Sequence, residues 1–215
     1  MFDASANLER FDALAADWDD NPRRAGIARA VATAIATALP LTRDMRALEY
    51  GCGTGLVSVL LADRLAHVVA ADLSPNMLRV LDEKCRRTGL AHIETRRLDL
   101  TVDPPPAERF DLIFTSMTLH HIENVAVVLA TLAGLLKTGG WLALADLDRE
   151  DGSFHGPNIP GVAHHGFERP WLMDLLRKLG LANVGALTAD TVQKTGGDGE
   201  RRDYTIFLIT AQRAA

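Results

Sequence analysis

Hydrophobic positions change their spacing several times along the chain, and each change marks an element. In GIARAVATAIATAL, Ile27, Val31, Ile35 and Leu39 recur every fourth residue, one apolar stripe on a helix that Pro40 closes. A shorter helical stretch precedes it. Beyond it, apolar runs and helical runs alternate: strands over RALEY, AHVVAAD, HIETRRL, FDLIFTS and WLALADL, helices over about 56–64, 75–87, 125–136 and 170–179. The runs VVAA, DLIF and LALA are apolar at both parities, as strands covered on both faces are. This alternation predicts an α/β fold, a doubly wound and mostly parallel sheet with helices on both sides. The last two runs, about 184–192 and 204–209, are separated only by KTGGDGERRD. That is too short for a crossover helix and predicts an antiparallel hairpin. Ligands of such a sheet sit at the carboxyl ends of its strands.

With 215 residues, 47% hydrophobic and 24% charged, the chain is expected to form one domain over 1–215. Residues 1–40 are expected to be a helical N-terminal cap, and 148–170 an insert over the acceptor site. The net charge of −5 disfavours a nucleic-acid partner, which requires clustered Lys and Arg. The basic doublets at 86–87, 96–97 and 201–202 are scattered. No apolar run approaches the roughly 18 residues of a membrane span, and MFDASANLERFD lacks the pattern of a signal peptide. Cys52 and Cys85 make neither a disulfide framework nor a zinc-ligand spacing. The expectation is a cytoplasmic protein with a small-molecule partner and no membrane contact; oligomeric state stays open.

One short segment carries most of the chemistry. RALEYGCGTGLVSVL places Gly51, Gly53 and Gly55 between a strand and a helix, with Glu49 just before them. A phosphate loop needs GxxxxGK[ST], which is absent. The dinucleotide fingerprint needs GxGxxG, but its third glycine position is Leu56. A carboxylate at Glu49 opposes a diphosphate and suits an ammonium or sulfonium. Glycines allow close backbone approach, and the following helix start offers free N–H groups to a carboxylate. Asp72, at the end of the second strand, is placed to accept ribose hydroxyls. Ser74 and Pro75 read as the cap and first residue of the next helix. Asp99, after the third strand, can accept an adenine amine or simply close a turn.

Together ALEYGCGTG, VVAADLSPNML, RRLDL, FDLIFTSMTLHHIEN and LLKTGGWLALAD resemble the class I S-adenosylmethionine-dependent methyltransferases, particularly the small-molecule branch. The resemblance covers about residues 47–146. It implies a Rossmann-like seven-stranded sheet in the order 3-2-1-4-5-7-6 with an antiparallel C-terminal strand. It implies S-adenosylmethionine as cofactor and S-adenosylhomocysteine as product. Gly51, Gly53 and Gly55 would face the methionine part, Asp72 the ribose, Asp99 and Leu100 the adenine, and Ser116 and Met117 the sulfonium. Cys52, Leu73 and Met77 fall within the same motifs and join this cofactor set. FDALAADWDDNPRRA resembles the segment that folds over the cofactor, with Trp18 presenting an aromatic face to a cation.

The acceptor side rests on histidines. His120 and His121 follow the fourth strand, and His155, His164 and His165 lie in DREDGSFHGPNIPGVAHHGFERP after the fifth. Both segments fall above one sheet edge, beside the transferable methyl. His120, His121, His155 and His165 are the candidate bases or acceptor ligands. Asp146, Asp148, Glu150 and Asp151 beside them permit a metal reading, but no compact ligand spacing supports it and no metal is expected. The sequence TSMTLHH lacks the [DNS]PP[YFW] motif of nucleic-acid amino-methyltransferases. The expected activity is methyl transfer to a small molecule by in-line displacement. A non-catalytic module that binds the same nucleoside and an NAD-dependent oxidoreductase are the alternatives.

Overall fold

The computed structural model describes residues 4–156, 159, 161–195 and 199–214. Pro157, Asn158 and Pro160 of the 148–170 insert, and Gly196, Gly197 and Asp198 of the hairpin loop, lie outside the described residues, as do residues 1–3 and 215. Two helices come first, α1 (Ala4–Leu14) and α2 (Pro22–Ala38). Asn21 caps α2 by accepting the N–H groups of Arg23 at 3.0 Å and Arg24 at 3.4 Å, and Pro22 takes the first helical position. Then follow β1 (Arg46–Tyr50), α3 (Leu56–Leu61), β2 (His67–Asp72), α4 (Pro75–Thr88), β3 (Ile93–Arg97) and β4 (Phe110–Ser116). The chain continues with α5 (Val125–Leu135), β5 (Leu136–Leu147), α6 (Arg169–Lys178), β6 (Leu181–Thr195) and β7 (Arg201–Arg213).

The strands form one sheet in the order β3-β2-β1-β4-β5-β7-β6. Strands β1 to β5 run parallel, and β7 is antiparallel to both β5 and β6, as the short hairpin connection requires. Because strand side chains alternate, each central strand feeds two cores. Ala47, Val68, Ala70 and Phe114 pack under α2, α3 and α4 with Val31, Ile35, Leu61 and Leu81. Leu48, Val69, Ile113 and Leu144 pack under α5 and α6 with Leu129, Leu132, Leu172 and Leu176.

Three strands are longer than the sequence pattern indicates. Strand β5 starts at Leu136 rather than Trp141, because Phe110 pairs with Leu136 and Leu112 with Trp141, so the intervening Lys-Thr-Gly-Gly bulges out of the ladder. Strands β6 and β7 pair from Leu181 with Arg213 to Thr195 with Arg201. Their polar ends lie on the sheet edge, where solvent removes the apolar signal. No helix among the described residues is long and apolar enough to cross a membrane.

Candidate active site

The order of the sheet reverses between β1 and β4, and a cavity of about 700 Å³ opens over the carboxyl ends of the strands there. Its size suits a nucleoside together with a small second molecule. Gly51, Cys52, Gly53 and Thr54 line one end. Gly51 adopts φ +74°, and a Cβ there would collide with the Thr118 side chain, whose hydroxyl donates to the Gly51 carbonyl at 3.1 Å. Gly53 differs: the nearest atom to a Cβ would be Trp18 Nε1 at 3.9 Å, so its backbone faces open space under the indole. Gly55 lies outside the cavity lining. It opens α3 in the left-handed conformation, and a Cβ would strike Leu81 of α4.

The carboxylates of this end are buried. Glu49 is 2% exposed and accepts hydrogen bonds from the Ser58 N–H at 3.0 Å and the Ser58 hydroxyl. Burial pushes its carboxyl up to about 8, against the opposing effect of the Ser58 bonds. The sequence reading treated it as a standing negative charge; removal from water makes it mostly neutral at pH 7 until a cation arrives. Asp72 accepts the Gly53 N–H at 2.7 Å and the Ser74 N–H at 2.9 Å, tying the first two strand-end loops together. Burial raises its pKa as well. Leu73, Met77, Leu98 and Asp99 continue the wall. Asp99 accepts the Thr101 N–H at 2.9 Å. Leu100 is buried behind the wall, its N–H donating to the Tyr50 hydroxyl at 3.2 Å. Burial pushes the Cys52 thiol well up, so it offers no thiolate.

Residues 7–28 include much of the cavity lining, and no residue pattern signals how they are held. Asp12 accepts from the Ser74 hydroxyl and the Asn76 N–H, joining α1 to the cap of α4. Asp19 accepts from the Thr54 hydroxyl at 2.5 Å and pairs with Lys84 at 2.7 Å. These bonds bring Trp18 over the glycine loop, and Phe11, 5.5 Å from Trp18, packs 5.1 Å from the His121 ring. Ser116 and Met117 line the middle of the cavity. Met117 holds φ +54°, a strained value for a side chain of its size, and its N–H donates to Ala145 at 2.9 Å.

Three imidazoles form the far end. His120, His121 and His155 all line the cavity, with centroids 4.1, 4.9 and 5.7 Å apart pairwise. His120 is 1% exposed, and its Nδ1 lies 2.7 Å from the carboxylate of Asp146, which is fully buried at the end of β5. A carboxylate only accepts, so Nδ1 carries a proton, and in the neutral ring Nε2 is the acceptor. That Nε2 is buried without a hydrogen-bond partner among the described residues, as is Nε2 of His155. Nδ1 of His121 donates to the Gly161 carbonyl at 2.6 Å, which likewise leaves its Nε2 as acceptor. Burial, then the neighbouring positive charges, lowers His121 well below its ordinary value and His155 to about 2. Both are neutral at working pH. The sequence reading counted Asp146 only as a possible metal ligand; its pairing with His120 across 26 residues appears only in the fold.

His165 does not join this group. Its side chain is 59% exposed and stands 3.7 Å from Glu150, outside the cavity lining. His164 donates to the Ile122 carbonyl at 2.9 Å, and the N–H groups of Ala163 and His164 both reach the His120 carbonyl. This half of the insert fastens the loop that carries His120. Among the described residues no three His, Cys, Asp or Glu side chains are arranged to hold a metal ion.

Residues 48–144 match a family model described as a methyltransferase domain. A Schizosaccharomyces pombe protein described as an uncharacterized methyltransferase is 34% identical over 154 residues, 65% of this chain and 54% of its own. A ubiquinone biosynthesis O-methyltransferase of Cereibacter sphaeroides is 29% identical over 165 residues, 69% of this chain and 66% of its own. The chain thus spans between about half and two thirds of the length of these relatives. Among solved structures, a methyltransferase from Aquifex aeolicus superposes over 100% of both chains with a TM-score of 0.65 at 20% identity. Phosphoethanolamine N-methyltransferase 2 of Haemonchus contortus, in complex with S-adenosyl-L-methionine, covers 86% of this chain and 52% of its own, with a TM-score of 0.70 at 17% identity. The ordered strand-end motifs, the sheet order with its reversed seventh strand and the matched domain agree: residues 48–144 form a methyltransferase domain similar to those of the class I S-adenosylmethionine-dependent methyltransferases.

Proposed function

We propose that this protein transfers a methyl group from S-adenosylmethionine to a small-molecule acceptor whose accepting atom starts protonated. The observation that carries this reading is the continuity of one cavity, with an open glycine loop and buried carboxylates at one end and a carboxylate-oriented histidine with a free Nε2 at the other.

The residues fit the donor. Gly53 leaves space where any side chain would intrude. Asp72 has one backbone donor on each oxygen and retains lone pairs for two ribose hydroxyls. Glu49 is a carboxyl that ionises in response to a nearby cation. When bound, S-adenosylmethionine supplies an electrophilic methyl group whose bonding electrons remain with sulfur as the acceptor displaces it. The chain contributes alignment and exclusion of water, and positioning of this kind provides several kcal/mol. Trp18 covers the glycine-loop end and Phe11 links it to His121, while Met117 lines the same cavity. His120 Nε2 takes the acceptor's proton, and Asp146 stabilises the imidazolium that results. His121 and His155 stay neutral and shape the pocket, His121 held by its bond to the Gly161 carbonyl and His155 packed against the other two imidazoles.

The ubiquinone-biosynthesis relative acts, by its name, as an O-methyltransferase, and this supports an oxygen acceptor here. The test is calorimetry with S-adenosylhomocysteine, expected to bind in the micromolar range and to lose at least tenfold in Asp72→Ala, followed by donor consumption across a metabolite panel. Binding that is equal in the variant removes the ribose assignment. A protein that binds the product but methylates nothing is the non-catalytic module.

A further inference from the structure

Four cationic side chains line the same cavity: Arg10 from α1, Arg23 and Arg24 from the first turn of α2, and Lys194 near the end of β6. This concentration runs against the net charge of −5. Elsewhere, cations find partners, as Lys84 does with Asp19, Arg96 with Glu108 and Arg169 with Asp148. None of the four forms an ion pair among the described residues. They act mainly on one another. After burial, Arg23 and Arg10 lower Arg24, and Arg23 lowers Lys194, with the Glu150 carboxylate opposing that shift. Unpaired like charges partly withdrawn from water are unfavourable until an anion joins them.

Their places along the cavity differ. Arg24 lies 3.7 Å over the Trp18 ring and donates to the Trp18 carbonyl, and that indole covers Gly53. It therefore belongs to the glycine-loop end, and Arg23 stands between it and Lys194, both of which feel its charge. Arg10 and Lys194 reach the histidines. Arg10 stands 5.6 Å from the Phe11 ring, which packs 5.1 Å from His121. Lys194 stands 5.0 Å from the Phe154 ring, itself 5.0 Å from His155, and donates to the Phe154 carbonyl. The charge of Arg10 is felt by both His121 and His155, and that of Lys194 by His155. Arg10 has a buried Nη1 with no acceptor among the described residues.

We propose that Arg10 and Lys194 hold a carboxylate or phosphate of the methyl acceptor, so the acceptor is a small organic anion whose other end meets His120. This rests on the methyl-transfer reading above. The donor's own carboxylate is a second source of the same chemistry, and the experiment separates them. Protein saturated with S-adenosylhomocysteine is titrated by calorimetry with para-hydroxybenzoate and phenyl phosphate, and in parallel with methyl para-hydroxybenzoate and phenol. At least one acid is expected to bind about tenfold or more tighter than its neutral counterpart, as a charge-assisted pair out of water does. Arg10→Met and Lys194→Met should each abolish that preference and leave S-adenosylhomocysteine affinity within twofold, while Arg10→Lys keeps most of it. The proposal is overturned if acids and neutral counterparts bind alike, or not at all, or if the two Met variants lose nucleoside affinity in step with the acid. Failure of the unaltered protein to bind S-adenosylhomocysteine refutes the methyl-transfer reading itself, and the proposal with it.

Discussion

Replacing Glu49 with Gln separates what the fold tolerates from what the ligand requires. The carboxyl is 2% exposed and holds its proton to about pH 8, against an ordinary value of 4.5. Between those two values the folded chain binds more protons at this position than the unfolded chain does, so stability falls as pH rises across the window. At pH 7 the penalty is about 3 kcal/mol. Gln is nearly the same shape and still accepts from Ser58, so the unliganded variant is expected to gain up to about 3 kcal/mol at pH 7, roughly 6–12 °C in Tm. Binding runs the other way. A cation beside Glu49 stabilises the ionised form and expels its proton. Affinity for S-adenosylhomocysteine, which carries an ammonium, is therefore expected to rise with pH from 6 to 8 by up to about tenfold per unit. Calorimetry in buffers of different ionisation enthalpy should count close to one proton released near pH 7. In Glu49→Gln both the slope and the proton vanish. A flat pH profile in the unaltered protein, or an unchanged slope in the variant, refutes the coupling.

The remaining expectations concern the loop, the dyad and the cap. Gly51→Ala meets Thr118 at a positive φ and should destabilise the fold by about 1–3 kcal/mol in urea unfolding, whereas Gly53→Ala, at φ +54° but with no neighbour to strike, should cost only the backbone strain of about 1–2 kcal/mol and in addition weaken nucleoside binding. His120→Asn and Asp146→Asn should each lower kcat by about 10²–10⁴ with S-adenosylhomocysteine affinity nearly unchanged, and loss of nucleoside binding in either would place the pair at the donor end. Ser74→Ala removes both the cap of α4 and the tie to Asp12, so about 1–2 kcal/mol of stability is expected to go, with faster proteolysis within residues 7–28 as the readout.

The sequence displayed the proposed donor half because that half is local. Its residues sit at the ends of successive strands, and the requirements at each position act on single residue types: glycine at a positive φ, an acid after β2, Ser and Pro at the start of α4. Periodicity found the buried strands for a related reason, since both faces of β1, β2 and β4 are covered and their central positions are mostly apolar. It understated β6 and β7 where only one face is covered. Gly55 and Leu100 carry the motif but serve packing and a backbone bond to Tyr50, respectively. The motif constrains them through the turn they build, which a residue pattern does not distinguish from contact with a ligand. Glu49 was read as a standing charge, whereas burial pushes its carboxyl up to about 8, a property of surroundings that a residue pattern does not carry.

The acceptor half was legible only as composition, a surplus of histidines near one sheet edge. What turns it into a site is contact between segments far apart in the chain. Asp146 gives His120 its tautomer across 26 residues, and Gly161 does the same for His121 across 40. His155 stays neutral because it is buried beside two imidazoles and within reach of Arg10 and Lys194, which enter from opposite ends of the chain. Each of these relations depends on the cap, the insert and the terminal hairpin being in place at once. The two halves should therefore respond differently to perturbation. A substitution in the insert that releases His120, such as Ala163→Pro, which removes an N–H donated to the His120 carbonyl at 2.9 Å, should depress turnover and leave nucleoside affinity intact. Were nucleoside affinity to fall in proportion, the cavity would be one cooperative unit rather than two sites sharing a wall.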